Sequence, residues 1–186
     1  MSTNRLPPID PDRLEPEQAK VYNRIVAGPR GAVRGPHRVL LHSPELASRV
    51  EQLGAYVRFQ CAVPARQREL SILVVSAYWH ADYEWHAHAS LAARAGIPQS
   101  VVDAIGQKRV PNFDTPADEI VYKFSDELVR ERLVSQPVYD AARALLDDAG
   151  VVDLTALIGY YAMLAMTLNV FEVEAPGDVV IPWRQQ

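Results

Sequence analysis

The stretch RELSILVVSAYWHADYEWHAHASLAARAGI, residues 68–97, decides the fold of this chain. Its first half is apolar on nearly every face, a pattern that buried strands and buried helices share. Its length and its continuation into an alanine-rich run favour a buried helix, which Gly96-Ile97-Pro98 would end. Two alternatives stay open: one helix through residue 95, or two helices with a break near residues 80–82.

Helix-start signals occur on both sides of this stretch. Proline in the first turn, next to an acidic residue or after a Ser or Thr cap, predicts helices that begin near residues 16, 44 and 116. Apolar spacing predicts further helices over 99–106, 135–149 and 152–174. The chain contains no Asn-Gly hairpin and no βαβ alternation. The sequence therefore predicts an all-α fold with seven to nine helices.

The predicted organisation is an extended arm over residues 1–15, one helical domain over 16–175, and an irregular tail over 176–186. Each half of the domain pairs an amphipathic helix with a very apolar one, so two helical repeats are one interpretation. Helices as apolar as 70–79 and 154–173 need cover on all sides. We therefore expect a homo-oligomer, which would be a dimer, trimer or hexamer.

Composition narrows the class of protein. The net charge of −4 gives no support for nucleic-acid binding, so an anionic substrate would need a local basic pocket. The single cysteine, Cys61, excludes an intrachain disulfide and a CxxC pair. No apolar run reaches the ~20 residues that span a bilayer, and the first residues do not read as a secretory signal. We expect a cytoplasmic protein without a membrane partner.

Histidines and acids concentrate at residues 80–88. On one continuous helix His80, Glu84 and His88 would share a stripe, because residues four apart lie on the same face. The stripe has three interpretations: a solvated surface pair, a metal site, or an acid/base site. The eight-residue span from His80 to His88 rises about 12 Å, so all three side chains cannot bind one ion from a straight helix. We expect neither a metal nor a cofactor.

Glu69 lies among apolar residues on the core-like face of its helix, and a buried glutamate needs a partner. His88 or Tyr83 could supply that partner. A buried carboxylate near a histidine makes a proton-transfer pair that can be tuned to neutral pH. This is the acid/base interpretation.

The loop GPRGAVRGPH, residues 28–37, places two arginines among glycines and prolines. One interpretation is a flexible surface loop. The other is a constrained loop on which Arg30 and Arg34 hold a substrate carboxylate through bidentate hydrogen bonds.

Segments 28–47 and 68–97 together resemble the carboxymuconolactone decarboxylase family, and the resemblance extends over roughly residues 16–173. Its most specific piece is Glu69-Leu70 followed by Tyr83-Glu84-Trp85-x-x-His88. This resemblance implies an all-helical, alkylhydroperoxidase-D-like bundle that forms homo-oligomers. The family includes γ-carboxymuconolactone decarboxylases of aromatic catabolism and alkylhydroperoxidase-D-like peroxidases.

The resemblance also implies roles for individual residues. The glutamate and histidine of the peroxidase branch match Glu69 and His88, whereas its two cysteines fall at Ala81 and Glu84, so a thiol peroxidase is not expected. A decarboxylase-like enzyme is the favoured expectation, and a non-catalytic oligomer of the same fold is the alternative. The roles implied are proton transfer by His88 and Glu84, orientation of His88 by Glu69, and substrate contact by Tyr83, Trp85, Arg30 and Arg34.

Overall fold

The apolar segment 65–79 forms the central helix of the fold, seen in a computed structural model that describes residues 5–177 and 180–184. Within those residues the chain forms eight α-helices, two 3-10 turns and no strand. The prediction of an all-α fold with seven to nine helices is therefore confirmed. The helices are α1 (Pro16–Ala27), α2 (Pro36–Leu40), α3 (Pro44–Phe59), α4 (Ala65–Trp79), α5 (Asp82–Arg94), α6 (Gln99–Gly106), α7 (Pro116–Glu131) and α8 (Gln136–Val170).

The break between α4 and α5 decides between the two alternatives for the stretch 68–97 in favour of two helices. His80 adopts a left-handed conformation with φ 50°, and the amides of His80 and Ala81 donate to the Ala77 and Ser76 carbonyls, as in a Schellman motif. The expected stripe of His80, Glu84 and His88 is therefore wrong, because His80 caps α4 and does not belong to α5. α5 turns back to pack along α4.

One kinked helix, α8, replaces the two helices predicted over 135–149 and 152–174. Asp147 departs from helical geometry with φ 62° and ψ −175°, and its Oδ1 accepts from the Gly150 amide at 2.9 Å. The sequence predicted a helix end at Gly150, and the kink lies three residues before that position. α8 is also long and apolar enough to cross a membrane, with a mean hydropathy of 1.6, but it packs against α4 and α7 as a core helix does.

Two apolar clusters meet at α4, which explains why this helix is apolar all round. Ile72 and Val75 pack into the larger cluster with α1, α3 and α8. Leu70 and Leu73 pack into a second cluster with α5, α6 and Trp183. The chain itself thus covers both faces of α4, and the apolarity of α4 gives no separate argument for a second subunit.

Both ends of the described chain lie against the bundle. Arg5 forms an ion pair of 2.7 Å with Glu172, and the Pro7 carbonyl lies 3.1 Å from His42 Nε2. The division into arm, domain and tail stays a prediction, and its residues 1–4, 178–179 and 185–186 lie outside the described residues.

The loop before α2 depends on a glycine that has both an unusual conformation and a close neighbour. Gly35 has φ 51° and ψ −125°, and a Cβ there would overlap the Tyr83 ring. We expect Gly35→Ala to lower the free energy of unfolding by roughly 2–4 kcal/mol, from backbone strain plus overpacking. Urea denaturation measures this change.

Gly31 provides the matched control for this variant. It also has a positive φ, of 66°, but a Cβ there meets no atom within 4 Å. Gly31→Ala should therefore cost only about 1 kcal/mol of backbone strain. Equal losses in the two variants would contradict the contact between Gly35 and Tyr83.

Candidate active site

A cavity of about 450 Å³ opens between the loop 28–37, the end of α3, and helices α5 and α8. Most of the residues singled out in the sequence line it: Arg30, Arg34, Tyr83, Glu84 and His88. The two loop arginines reach this cavity from the same chain, and loop 28–37 thus forms one wall of the site.

Glu84 is the most deeply buried acid of this cavity, with 3% of its surface exposed. Burial raises the pKa of its carboxyl well above the usual range. Ser76 Oγ lies 2.7 Å from the Ile72 carbonyl oxygen and 3.1 Å from Glu84 Oε1. Ser76 has a single hydroxyl hydrogen, which it donates either to the Ile72 carbonyl or to Glu84 Oε1. Burial favours the protonated form of Glu84, whose carboxyl lies at the cavity wall.

The carboxyl of Glu84 also has one free oxygen. Glu84 Oε2 is buried and has no hydrogen-bond partner among the described residues. Buried polar atoms are nearly always paired, and exceptions mark sites that a ligand or water completes. Because Glu84 lines the cavity, a molecule bound there is a candidate partner for this oxygen.

His88 is held between Glu69 and Arg58. Its Nδ1 lies 2.6 Å from Glu69 Oε2, and its Nε2 lies 3.2 Å from Arg58 Nη1. Burial lowers the pKa of His88, although the Glu69 carboxylate opposes that effect. The Tyr161 ring packs edge-on against the imidazole at 5.0 Å. Of the two partners that the sequence left open for Glu69, the structure selects His88.

The cavity is positively charged. Arg30 and Arg58 each lie over the Phe59 ring, 5.8 and 5.5 Å from its centroid. Neither guanidinium forms an ion pair with a carboxylate in the described part of the chain. Arg30 Nε is in addition buried without a partner there. Two partly buried cations without a direct ion pair favour an anionic ligand.

Among the lining residues that sequence reasoning missed are His37, Arg58 and Tyr161. His37 belongs to a segment with the composition of a surface loop, and Arg58 follows the ordinary preference for basic residues in the last turn of a helix. Tyr161 interrupts an apolar helix, where a tyrosine is usual in a core. No signal in one sequence distinguishes these positions from structural ones.

The remaining candidates lie away from the cavity. Trp85 is buried in the second apolar cluster, 5.3 Å from Trp183, and is not among the cavity-lining residues. Asp82 accepts a hydrogen bond of 2.8 Å from Trp183 Nε1, and His80 stacks on the same ring. Cys61 Sγ donates to the Val57 carbonyl. Across residues 5–177 and 180–184, no three His, Cys, Asp or Glu side chains are grouped to hold a metal.

Residues 44–119 match the sequence model of the Carboxymuconolactone decarboxylase family. Over most of its length the chain also shares the fold of solved structures with an AhpD core. The resemblance inferred from the sequence is confirmed. No curated protein sequence matches the chain.

Three solved structures share the fold over nearly their whole length. A peroxidase-related protein with an alkylhydroperoxidase AhpD core, from Ralstonia eutropha JMP134, has a TM-score of 0.78 at 15% identity. The aligned region covers 96% of this chain and 94% of that protein. A peroxidase-related protein from Silicibacter sp. TM1040 has a TM-score of 0.74 at 15% identity, with coverages of 93% and 91%. The debrominase Bmp8 has a TM-score of 0.74 at 14% identity, with coverages of 98% and 97%.

The buried imidazole of His37 generates a prediction about stability and pH. Burial, followed by the charge of Arg30, lowers the pKa of His37 to about 4, and its Nε2 has no partner in the described structure. Between pH 6.5 and 4 the unfolded chain binds a proton at this residue that the folded chain does not bind. Stability is therefore lost as the pH falls through this window, and His37 accounts for about 3 kcal/mol of that loss.

Chemical denaturation at pH 7 and pH 4.5 measures this effect in the wild type and in His37→Gln. The variant should lose less stability than the wild type between these two pH values, because glutamine does not titrate. Equal losses in the two proteins would contradict a neutral His37.

Proposed function

We propose that this protein is an acid/base enzyme that removes CO₂ from a small carboxylated lactone or a related metabolite of aromatic catabolism. The observation that carries the proposal is the buried Glu84 carboxyl, which lines the same cavity as guanidinium groups that form no direct ion pair; burial raises the pKa of this carboxyl. Decarboxylation requires this combination, because a carboxylate must be bound and a proton must be delivered to carbon.

The reaction proceeds in two steps that the lining residues support. With the substrate carboxylate held by arginine, the carbon–carbon bond breaks and CO₂ leaves. The electron pair spreads into the conjugated lactone carbonyl as an enolate. Glu84 then donates its proton to carbon, and solvent returns a proton to Glu84, so one proton is consumed per CO₂ released. Guanidinium groups beside the cavity stabilise the negative charge in the transition state.

Tyr83 and Arg34 have supporting roles in this proposal. Both line the cavity, and burial raises the pKa of Tyr83, so its hydroxyl stays protonated and can donate to the lactone oxygen. Arg30 and Arg34 bind the carboxylate. Trp85 contributes packing behind Glu84, as its place in the second cluster favours. The chemistry needs no metal or cofactor.

We also propose that the protein is a cytoplasmic homo-oligomer. Leu46, Leu53 and Phe59 of α3 each expose more than 40% of their surface, which is apolar surface that a second subunit would cover.

Thiol peroxidase activity is disfavoured for this chain. The cavity lining includes no cysteine, and the Cys61 thiol is directed to a backbone carbonyl. Peroxide reduction by this route needs a thiolate nucleophile.

Purified protein assayed with γ-carboxymuconolactone and related lactones, with CO₂ release as the readout, tests the proposal. We expect Glu84→Gln to lower kcat at least 100-fold with little change in KM, because it removes the proton donor. Wild-type activity should fall as the pH rises through the raised pKa of Glu84, since only the neutral acid donates.

Glu51→Gln is the matched control. Glu51 is also a buried glutamate, but it pairs with Arg24 at 2.8 Å and does not line the cavity. This variant should keep wild-type kcat. Absence of CO₂ release from every lactone, or full turnover by Glu84→Gln, would overturn the proposed function.

A further inference from the structure

Arg58 occupies a place that its position in the sequence does not suggest. It lies in the last turn of α3, yet its guanidinium points into the cavity over the Phe59 ring. Its Nη1 donates to the Tyr161 hydroxyl at 3.0 Å and lies 3.2 Å from His88 Nε2. In the described structure no carboxylate contacts the guanidinium directly, and Glu69 acts on it only across His88, so the guanidinium is open to a ligand.

The hydrogens of this cluster can be assigned from the chemistry of the groups. A guanidinium only donates, so His88 Nε2 must accept from Arg58 and cannot carry a hydrogen. The hydrogen of a neutral imidazole then lies on Nδ1, from which it is donated to Glu69 at 2.6 Å. Glu69, His88 and Arg58 thus form one chain of hydrogen bonds with a single direction.

This direction is at odds with a role for His88 as a proton acceptor. Its one lone pair is already engaged by Arg58. Protonation at Nε2 would leave two donors facing each other at 3.2 Å, and two positive charges in a partly buried site. The neutral imidazole instead donates to Glu69 and accepts from Arg58, and these two hydrogen bonds fix the orientation of both side chains.

We propose that Arg58 is a substrate-binding residue that anchors a carboxylate in the cavity, and that Glu69 and His88 are positioning residues for it. This inference rests on the proposed function for its substrate class. It replaces proton transfer by His88 with a structural task, and it leaves Glu84 as the proton donor.

Steady-state kinetics of Arg58→Met, His88→Gln and the control Arg49→Met tests these roles. Arg49 lies on the same helix but is exposed and pairs with Glu45. We expect Arg58→Met to raise KM at least 10-fold, with partial rescue by millimolar methylguanidine, and Arg49→Met to leave KM unchanged. His88→Gln should keep more than a tenth of kcat, because glutamine can accept from Arg58 although it cannot exchange a proton. A 100-fold loss of kcat in His88→Gln, or an unchanged KM in Arg58→Met, would overturn the inference.

Nitrogen-15 NMR of the histidines, combined with a titration of benzoate, gives a readout that does not need turnover. We expect the Nδ1–H tautomer of His88 between pH 6 and 9, and a shifted His88 Nε2 resonance in Arg58→Met. We also expect the wild type to bind benzoate at least 10-fold more tightly than this variant does. An Nε2–H tautomer, or equal binding of benzoate by the two proteins, would contradict the inference. These results remain decisive if no lactone is turned over, so failure of the proposed function and failure of this inference are distinguishable.

Discussion

The 2.6 Å hydrogen bond between Glu69 and His88 ties α4 to α5, and the arrangement of the cavity depends on it. α4 is buried on both sides, so a glutamate in that helix is stable only with a partner. The left-handed turn at His80 brings α5 back along α4 and supplies that partner. The same turn places Glu84 and Tyr83 on the cavity wall. This hydrogen bond and the apolar packing of Trp85 and Ala92 against α4 together hold α5 in place.

Burial and hydrogen-bond partners differ among the charged residues in and around the cavity, and these differences set its charge. Two glutamates near the cavity have different partners. Glu69 accepts a hydrogen bond from His88, whereas Glu84 has only Ser76, and burial raises the pKa of Glu84. The guanidinium groups of Arg30 and Arg58 are consequently not neutralised by the nearby acid. A pocket that combines a neutral acid with uncompensated cations suits the binding and protonation of an anion.

Local sequence signals predicted much of the fold and part of the site. Prolines in first turns located the starts of α1, α3 and α7, because a helix tolerates proline only where no amide hydrogen is needed. The i,i+4 spacing located Glu84 and His88 on one face of α5, with Tyr83 also on the cavity wall. The same spacing failed for His80, since a single left-handed residue interrupts the register. The sequence predicted that a helix ends at Gly150. In the structure α8 instead kinks near this position and continues, packed against α4 and α7.

The sequence by itself determined the helical class and the motif that contributes Glu69, Tyr83, Glu84 and His88, because these depend on spacing within one or two turns. Only the tertiary structure decided that Arg58 and His37 belong to the cavity and that Trp85 does not. It also decided the hydrogen-bonding direction of His88 and the burial that raises the pKa of Glu84. The physical reason is that burial, unpaired charge and tautomer depend on contacts between segments that are far apart in the chain, and a periodic pattern does not record them.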